Sequence, residues 1–236
     1  MNGTQAKKII IEYGEPKFLE LGYSLKKTRD TQAKYFRKLD SGFESIGIST
    51  KNYSPEVVLR FGIGKRLDVV EERMQSLKEI VDIDENILKK DSITFYLIDK
   101  QGLYLKLPYA STQEGIIEST DMILNHMRTF ALPIYNRFED LRELNSLING
   151  EGENFWENDF GNDKLINLAH AFEPRRFIIG RLSLNDSDFD ILSNKVLKAW
   201  DELCLKNGWP TGDATGGGKK LRRIIEHLNK HEKCIY

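Results

Sequence analysis

Hydrophobic and polar positions alternate most clearly between Val57 and Ile63. Val57, Leu59, Phe61 and Ile63 fall on one side, and Val58, Arg60, Gly62 and Gly64 on the other. Successive side chains of a strand point to opposite faces, so this period of two predicts a strand with one face on a core. Weaker alternations precede it in Glu44, Ile46, Ile48 and Thr50, and in Tyr35, Arg37 and Leu39, while Tyr23 to Thr28 reads as a first strand. Asp40-Ser41-Gly42 and Ser54-Pro55 supply the turns, glycine offering the positive φ that tight hairpins use. At Gly64 the period becomes helical: Leu67, Val70, Met74, Leu77 and Val81 share a stripe, predicting a helix across one face of the sheet. Ile93, Phe95 and Leu97, followed by Gly102 and then Leu103, Leu105 and Leu107, predict a further hairpin.

Ahead of the strands, a helical pattern from Gln5 to Leu21 is interrupted by Gly14 and Pro16. It predicts a kink or two short helices, ending at Gly22. Beyond Gly115 helical spacing dominates. Ile116, Met122 or Ile123, Met127 and Phe130 form one stripe that Pro133 stops, and Asn136 and Glu139 have the spacing of a capping box before Leu141, Leu144, Leu147 and Ile148. Further helices are expected from Asp163 to Phe172, Asp186 to Leu205 and Gly218 to Lys233, after an acidic loop that holds Phe155, Trp156 and Phe160. The expected fold is α+β: an antiparallel sheet of four to six strands with helices on one side, followed by a helical C-terminal half. Residues 1–112 form the sheet domain and 113–236 a helical region packed on it as one compact body, since Pro108 to Thr112 is too short for a linker.

Charge sharpens this picture. The net charge of −1 divides into +6 over residues 1–66, −11 over 67–217 and +4 from 218 onward. One surface therefore suits an acidic partner and another a basic one. No apolar run is long enough to cross a bilayer, and Ile9 to Ile11 is too short for the apolar region of a signal peptide. With only Cys204 and Cys234 a disulfide framework is excluded, so a cytoplasmic protein is expected.

Candidate chemistry gathers at four places. Gly62, Gly64, Lys65 and Arg66 stand where strand gives way to helix, a setting in which backbone N–H groups and full positive charges hold an anion; the structural alternative is close packing of sheet and helix. Arg37, Lys51 and Arg60, with Tyr35, offer cations and a ring for the exposed sheet face, as nucleic-acid surfaces do. His227, His231 and Cys234 share a helical face and with Cys204 would make a four-ligand zinc set, although Cys204 stands alone in sequence. Gly212 to Lys220 imitates a phosphate loop, but Lys220 stands where the hydroxyl residue belongs, so it reads as a flexible basic connection. No cofactor is expected, and no catalytic residue can be named.

Leu21-Gly22-Tyr23 closing the first helix, Tyr35-Phe36-Arg37, Val57 to Ile63 running into Arg66, and Ala131-Leu132-Pro133 before Phe138-Glu139-Asp140-Leu141 resemble a group of uncharacterised bacterial α+β domains. The resemblance covers the first two-thirds of the chain. It implies an interaction protein of the toxin-immunity type, whose partner is another protein. The alternative is a nucleic acid or phosphorylated ligand bound through the basic sheet face and C-terminal tail, and a third class is an enzyme with an unrecognised site.

Overall fold

Four strands follow one another where the alternation places them: β1 (Ser24–Arg29), β2 (Gln32–Leu39), β3 (Gly42–Tyr53) and β4 (Glu56–Leu67). The computed structural model describes residues 1–78, 80, 92–97, 107–149, 166–168, 172–212 and 216–236. Val81, the Gly102 turn with Leu103 and Leu105, the acidic loop with Phe155, Trp156 and Phe160, and residues 163–165 and 169–171 of the helix expected from Asp163 to Phe172 lie outside them, while Ile166–Leu168 within that span form a strand and not a helix. The chain forms two compact units, residues 1–66 with 95–137 and residues 67–94 with 138–236.

In the first unit the sheet runs β1-β2-β3-β4-β5, where β5 is Phe95–Leu97, and the short β6 (Tyr109–Ala110) also pairs with β4. The pairings are antiparallel, with Leu39 opposite Gly42 across a two-residue turn. That register sets Tyr35 beside Ile46 and Ala33 beside Ile48. These four, with Val57, Leu59, Phe61 and Ile63, are buried and form the core side of the sheet.

Helix α1 (Gly3–Glu20) covers this side, burying Ala6, Ile10 and Phe18, whose ring lies 4.5 Å from that of Tyr35. It is one helix rather than the two short ones expected. Asn2 and Gln5 form a reciprocal capping box at its start, and burial on the sheet holds it together across Pro16, which removes one intrahelical donor. Gly22, at φ +84°, ends the turn that follows, a conformation glycine adopts without strain. Helix α3 (Gln113–His126) packs against α1, so closely at Gly14 that an added Cβ would sit 3.0 Å from the Thr120 methyl group. Proline does not stop this helix. A π-helical turn, Met127–Ala131, carries it into α4 (Leu132–Arg137), the wider turn preceding Pro133, where a regular α-helix would press the ring on a carbonyl.

The second unit contains α2 (Asp68–Ser76), α5 (Leu141–Asn149), β7 (Ile166–Leu168), α6 (Phe172–Ser183), α7 (Asp186–Lys206) and α8 (Gly216–His231). Helix α6 is its axis: α2, α5, α7 and α8 all pack on it, around buried Phe177, Ile178, Ile179 and Leu182. Helix α2 belongs to the helical unit, where it brings Glu71 to Arg175. The two are fully buried and joined by a pair of 2.8 Å bonds from the guanidinium Nε and Nη2, while Ser92 and Thr94 donate to the same carboxylate. Helix α5 is capped by Asp140, whose carboxylate accepts the Arg142 backbone N–H at 2.8 Å. Asn136 cannot cap it, because α4 still runs there. The Arg142 side chain and N–H hold the Asp140 carboxyl down to about 2. At α8 the three glycines expected to be a flexible connection form its first turn, where Gly217 makes room for the Trp200 ring.

Candidate functional site

The sheet has a second side. Pairing places Ser24 beside Phe36, Lys27 beside Lys34 and Arg29 beside Gln32 across β1 and β2, then Lys34 beside Gly47, Phe36 beside Ser45 and Lys38 beside Phe43 across β2 and β3. On β4 the residues of this side are Val58, Arg60, Gly62, Gly64 and Arg66, with Tyr109 of β6 opposite Val58 and Tyr96 of β5 opposite Gly64. The six strands together carry ten Lys and Arg but only two acids, Glu44 and Glu56. Glu44 is buried on the core side together with Arg37 and Lys65, so that among the described strand residues Glu56, at the β4 terminus, is the one acid facing the same way as the remaining cations of β2, β3 and β4. Lys27, Arg29, Lys38, Lys51 and Arg60 are exposed.

Aromatic rings stand among these cations. Phe36 and Phe43 pack 5.0 Å apart with the Lys34 ammonium 4.9 Å above the Phe36 ring. Near the far end of β3, Tyr53 and Tyr109 meet edge to face at 5.2 Å, and the Lys51 ammonium lies 5.2 Å from the Tyr53 ring. A hydrogen bond from Lys51, reinforced by its charge and that of Arg60, lowers the Tyr53 phenol from its ordinary value. Between the two ring pairs lie Gly47 and Gly62, where an added Cβ would meet no atom within 4 Å. The result is a basic surface with a low floor and raised rings, chemically able to take phosphates on its cations and planar groups on its rings.

The core side holds a different cluster. Glu44 accepts from the Tyr23 hydroxyl at 2.6 Å and from Arg37 Nε at 2.8 Å, and lies 3.5 Å from the Lys65 ammonium. Lys65 also donates to the Tyr135 carbonyl at 2.8 Å. Burial, then the Glu44 charge, raises the Tyr23 phenol. All five groups are engaged or enclosed, so the arrangement fixes the interior of the unit.

Lys51 and Arg60 lie on the open side, as does exposed Gly62. Arg37 and Tyr35 lie on the core side, because Leu39 pairs with Gly42 and every odd position of β2 then faces inward. The anion site at Gly62, Gly64, Lys65 and Arg66 is not assembled: the strand runs on to Leu67, so Lys65 points inward, fully buried on Glu44, while Arg66 points the other way. His227 and His231 stack at 4.5 Å, but among the described residues no three His, Cys, Asp or Glu converge, so the zinc set with Cys204 and Cys234 does not form. Phe36, Phe43, Tyr53, Tyr109, Lys27 and Lys34 were absent from the sequence-derived sites, though the even positions of β2 already carried Lys34, Phe36 and Lys38.

Comparison with protein-family models, with curated proteins and with solved structures returns no match. Among the described residues no helix is long and apolar enough to cross a membrane.

Proposed function

We propose that the protein binds nucleic acid through the open side of the β1–β5 sheet. The observation that supports this reading is the segregation of charge: of the ten basic residues in these described strands, Lys27, Arg29, Lys34, Lys38, Lys51, Arg60 and Arg66 lie on the open side against Glu56, while Arg37 and Lys65 face the core with Glu44. A polyanion complements a surface of this sign and releases its own counterions on binding. A protein partner of the immunity type is the competing expectation from sequence. It draws on the acidic stretch from residue 67 to 217, which the described elements distribute over several helices of the second unit and over α3.

Fluorescence anisotropy with a labelled oligonucleotide tests the reading. Affinity is expected to fall as salt rises, and the exposed pair variant Lys51→Ala/Arg60→Ala is expected to weaken binding and flatten the log–log salt slope by about 1.4, two phosphates' worth for a single strand. No detectable binding by the parent chain at low salt, or a double variant with unchanged affinity and slope, overturns it.

A further inference from the structure

Resting on that reading, we infer that the nucleic acid is single-stranded, its bases stacking on two ring platforms at opposite ends of a glycine-floored strip. The first platform is Phe36 with Phe43, half-buried, 5.0 Å apart at 57°. The second is Tyr53 with Tyr109, 37% and 54% exposed, 5.2 Å apart at 73°. Rings that stay accessible on a sheet surface present flat faces to which an unpaired base can be added. Duplex bases are already stacked on one another and keep their faces from such rings, whereas splayed single-stranded bases do not.

The strip between the platforms has the complementary form. Phe43 and Tyr53 are both on β3, so the two ring pairs are separated by about 33 Å at 3.3 Å per residue. Gly47 and Gly62 leave the middle without side chains, with Lys34 beside Gly47 and Arg60 two residues from Gly62. A strand laid along this path keeps its backbone within reach of Lys34, Lys51 and Arg60 while bases at its two ends meet rings. An oligonucleotide too short to reach both platforms engages one. A longer one engages both, and the second contact forms at high effective concentration.

The test uses the intact chain and four labelled probes by anisotropy: oligothymidylates of 2 to 12 residues, the matching oligouridylates, an abasic 12-residue strand and a 12-base-pair duplex. The 12-residue single strands are expected to bind at least tenfold tighter than the abasic strand and the duplex, with affinity rising sharply at the length that first reaches both platforms. Phe36→Ala and Tyr109→Ala are each expected to weaken the 12-residue strand about tenfold, leave the abasic strand unchanged and remove the rise with length. Tyr109 is an exposed ring, so its variant keeps the fold even where Phe36→Ala does not. Tighter binding of either the ribose or the deoxyribose series supports the inference and names the natural source. Equal binding of duplex, abasic and single strands, unchanged in the ring variants but lost in Lys51→Ala/Arg60→Ala, overturns stacking and leaves the charged interface standing. Absence of binding by all four probes overturns both.

Discussion

Glu44 and Lys65 face each other inside the sheet unit at 3.5 Å, both side chains fully withdrawn from solvent. They sit on neighbouring strands β3 and β4; Tyr23 and Arg37 also donate to Glu44, and Lys65 donates to the Tyr135 carbonyl. A buried ion pair of this kind adds modest net stability but is expensive to break from one side, because the remaining charge stays enclosed. Glu44→Ala is therefore expected to cost about 3–5 kcal/mol, read from the urea midpoint. A loss below about 1 kcal/mol would show that Lys65 finds solvent and that the cluster is not enclosed.

Three phenols share that interior. Burial raises Tyr23, Tyr35 and Tyr135 above the ordinary tyrosine range, with the Glu44 charge adding to Tyr23 and Tyr135. A raised phenol is neutral in both states below about pH 10, so it leaves stability unchanged there. Above that, the unfolded chain ionises first and stability is lost as pH rises. In ultraviolet difference titration, Tyr23, Tyr35 and Tyr135 are expected to ionise only together with unfolding. Reversible titration of every tyrosine near pH 10 with the fold intact would contradict their burial.

Core positions give a simpler expectation. Leu59, Phe61 and Phe95 are 3%, 5% and 0% exposed, so truncation to Ala should cost about 2–5 kcal/mol each. Losses under about 1 kcal/mol at all three would mean that the faces of the sheet are reversed.

Gly217 tests the start of α8. A methyl group there would collide with the Trp200 indole, a rigid ring on α7. Gly217→Ala should destabilise by about 1–3 kcal/mol despite the better helix propensity of alanine, whereas Gly208→Ala, at φ +69° with open space, tests backbone strain alone. A stabilised Gly217→Ala protein would return the segment to a loose connection.

How much of this could be read from the residues depends on the range of the interaction. Strands and their buried faces were legible, because alternation is local and the two-residue turn at Asp40-Ser41 fixes the next register. Carrying that register forward would also have placed Arg37 opposite Glu44, and Lys65 at the next inward position after Ile63. Gly62 and Gly64 masked this by resembling the end of a strand. In the sequence Pro16 and Pro133 predict breaks, because the residues reveal neither the sheet that holds α1 nor the π-helical turn before α4. The Glu71–Arg175 pair, 104 positions apart, left no local signal at all. For the candidate interface, the cations of β4 and the end of β3 were visible, but the ring platforms needed β2, β3 and β6 set side by side.

Amide chemical-shift mapping during titration with a 12-residue single-stranded oligonucleotide tests the interface most directly. The expected result is a contiguous set of shifts on Lys34, Phe36, Phe43, Gly47, Tyr53, Arg60, Gly62 and Tyr109, diminishing with salt. Shifts confined to residues 138–236, or no shifts at saturating oligonucleotide, would contradict nucleic-acid binding by the sheet.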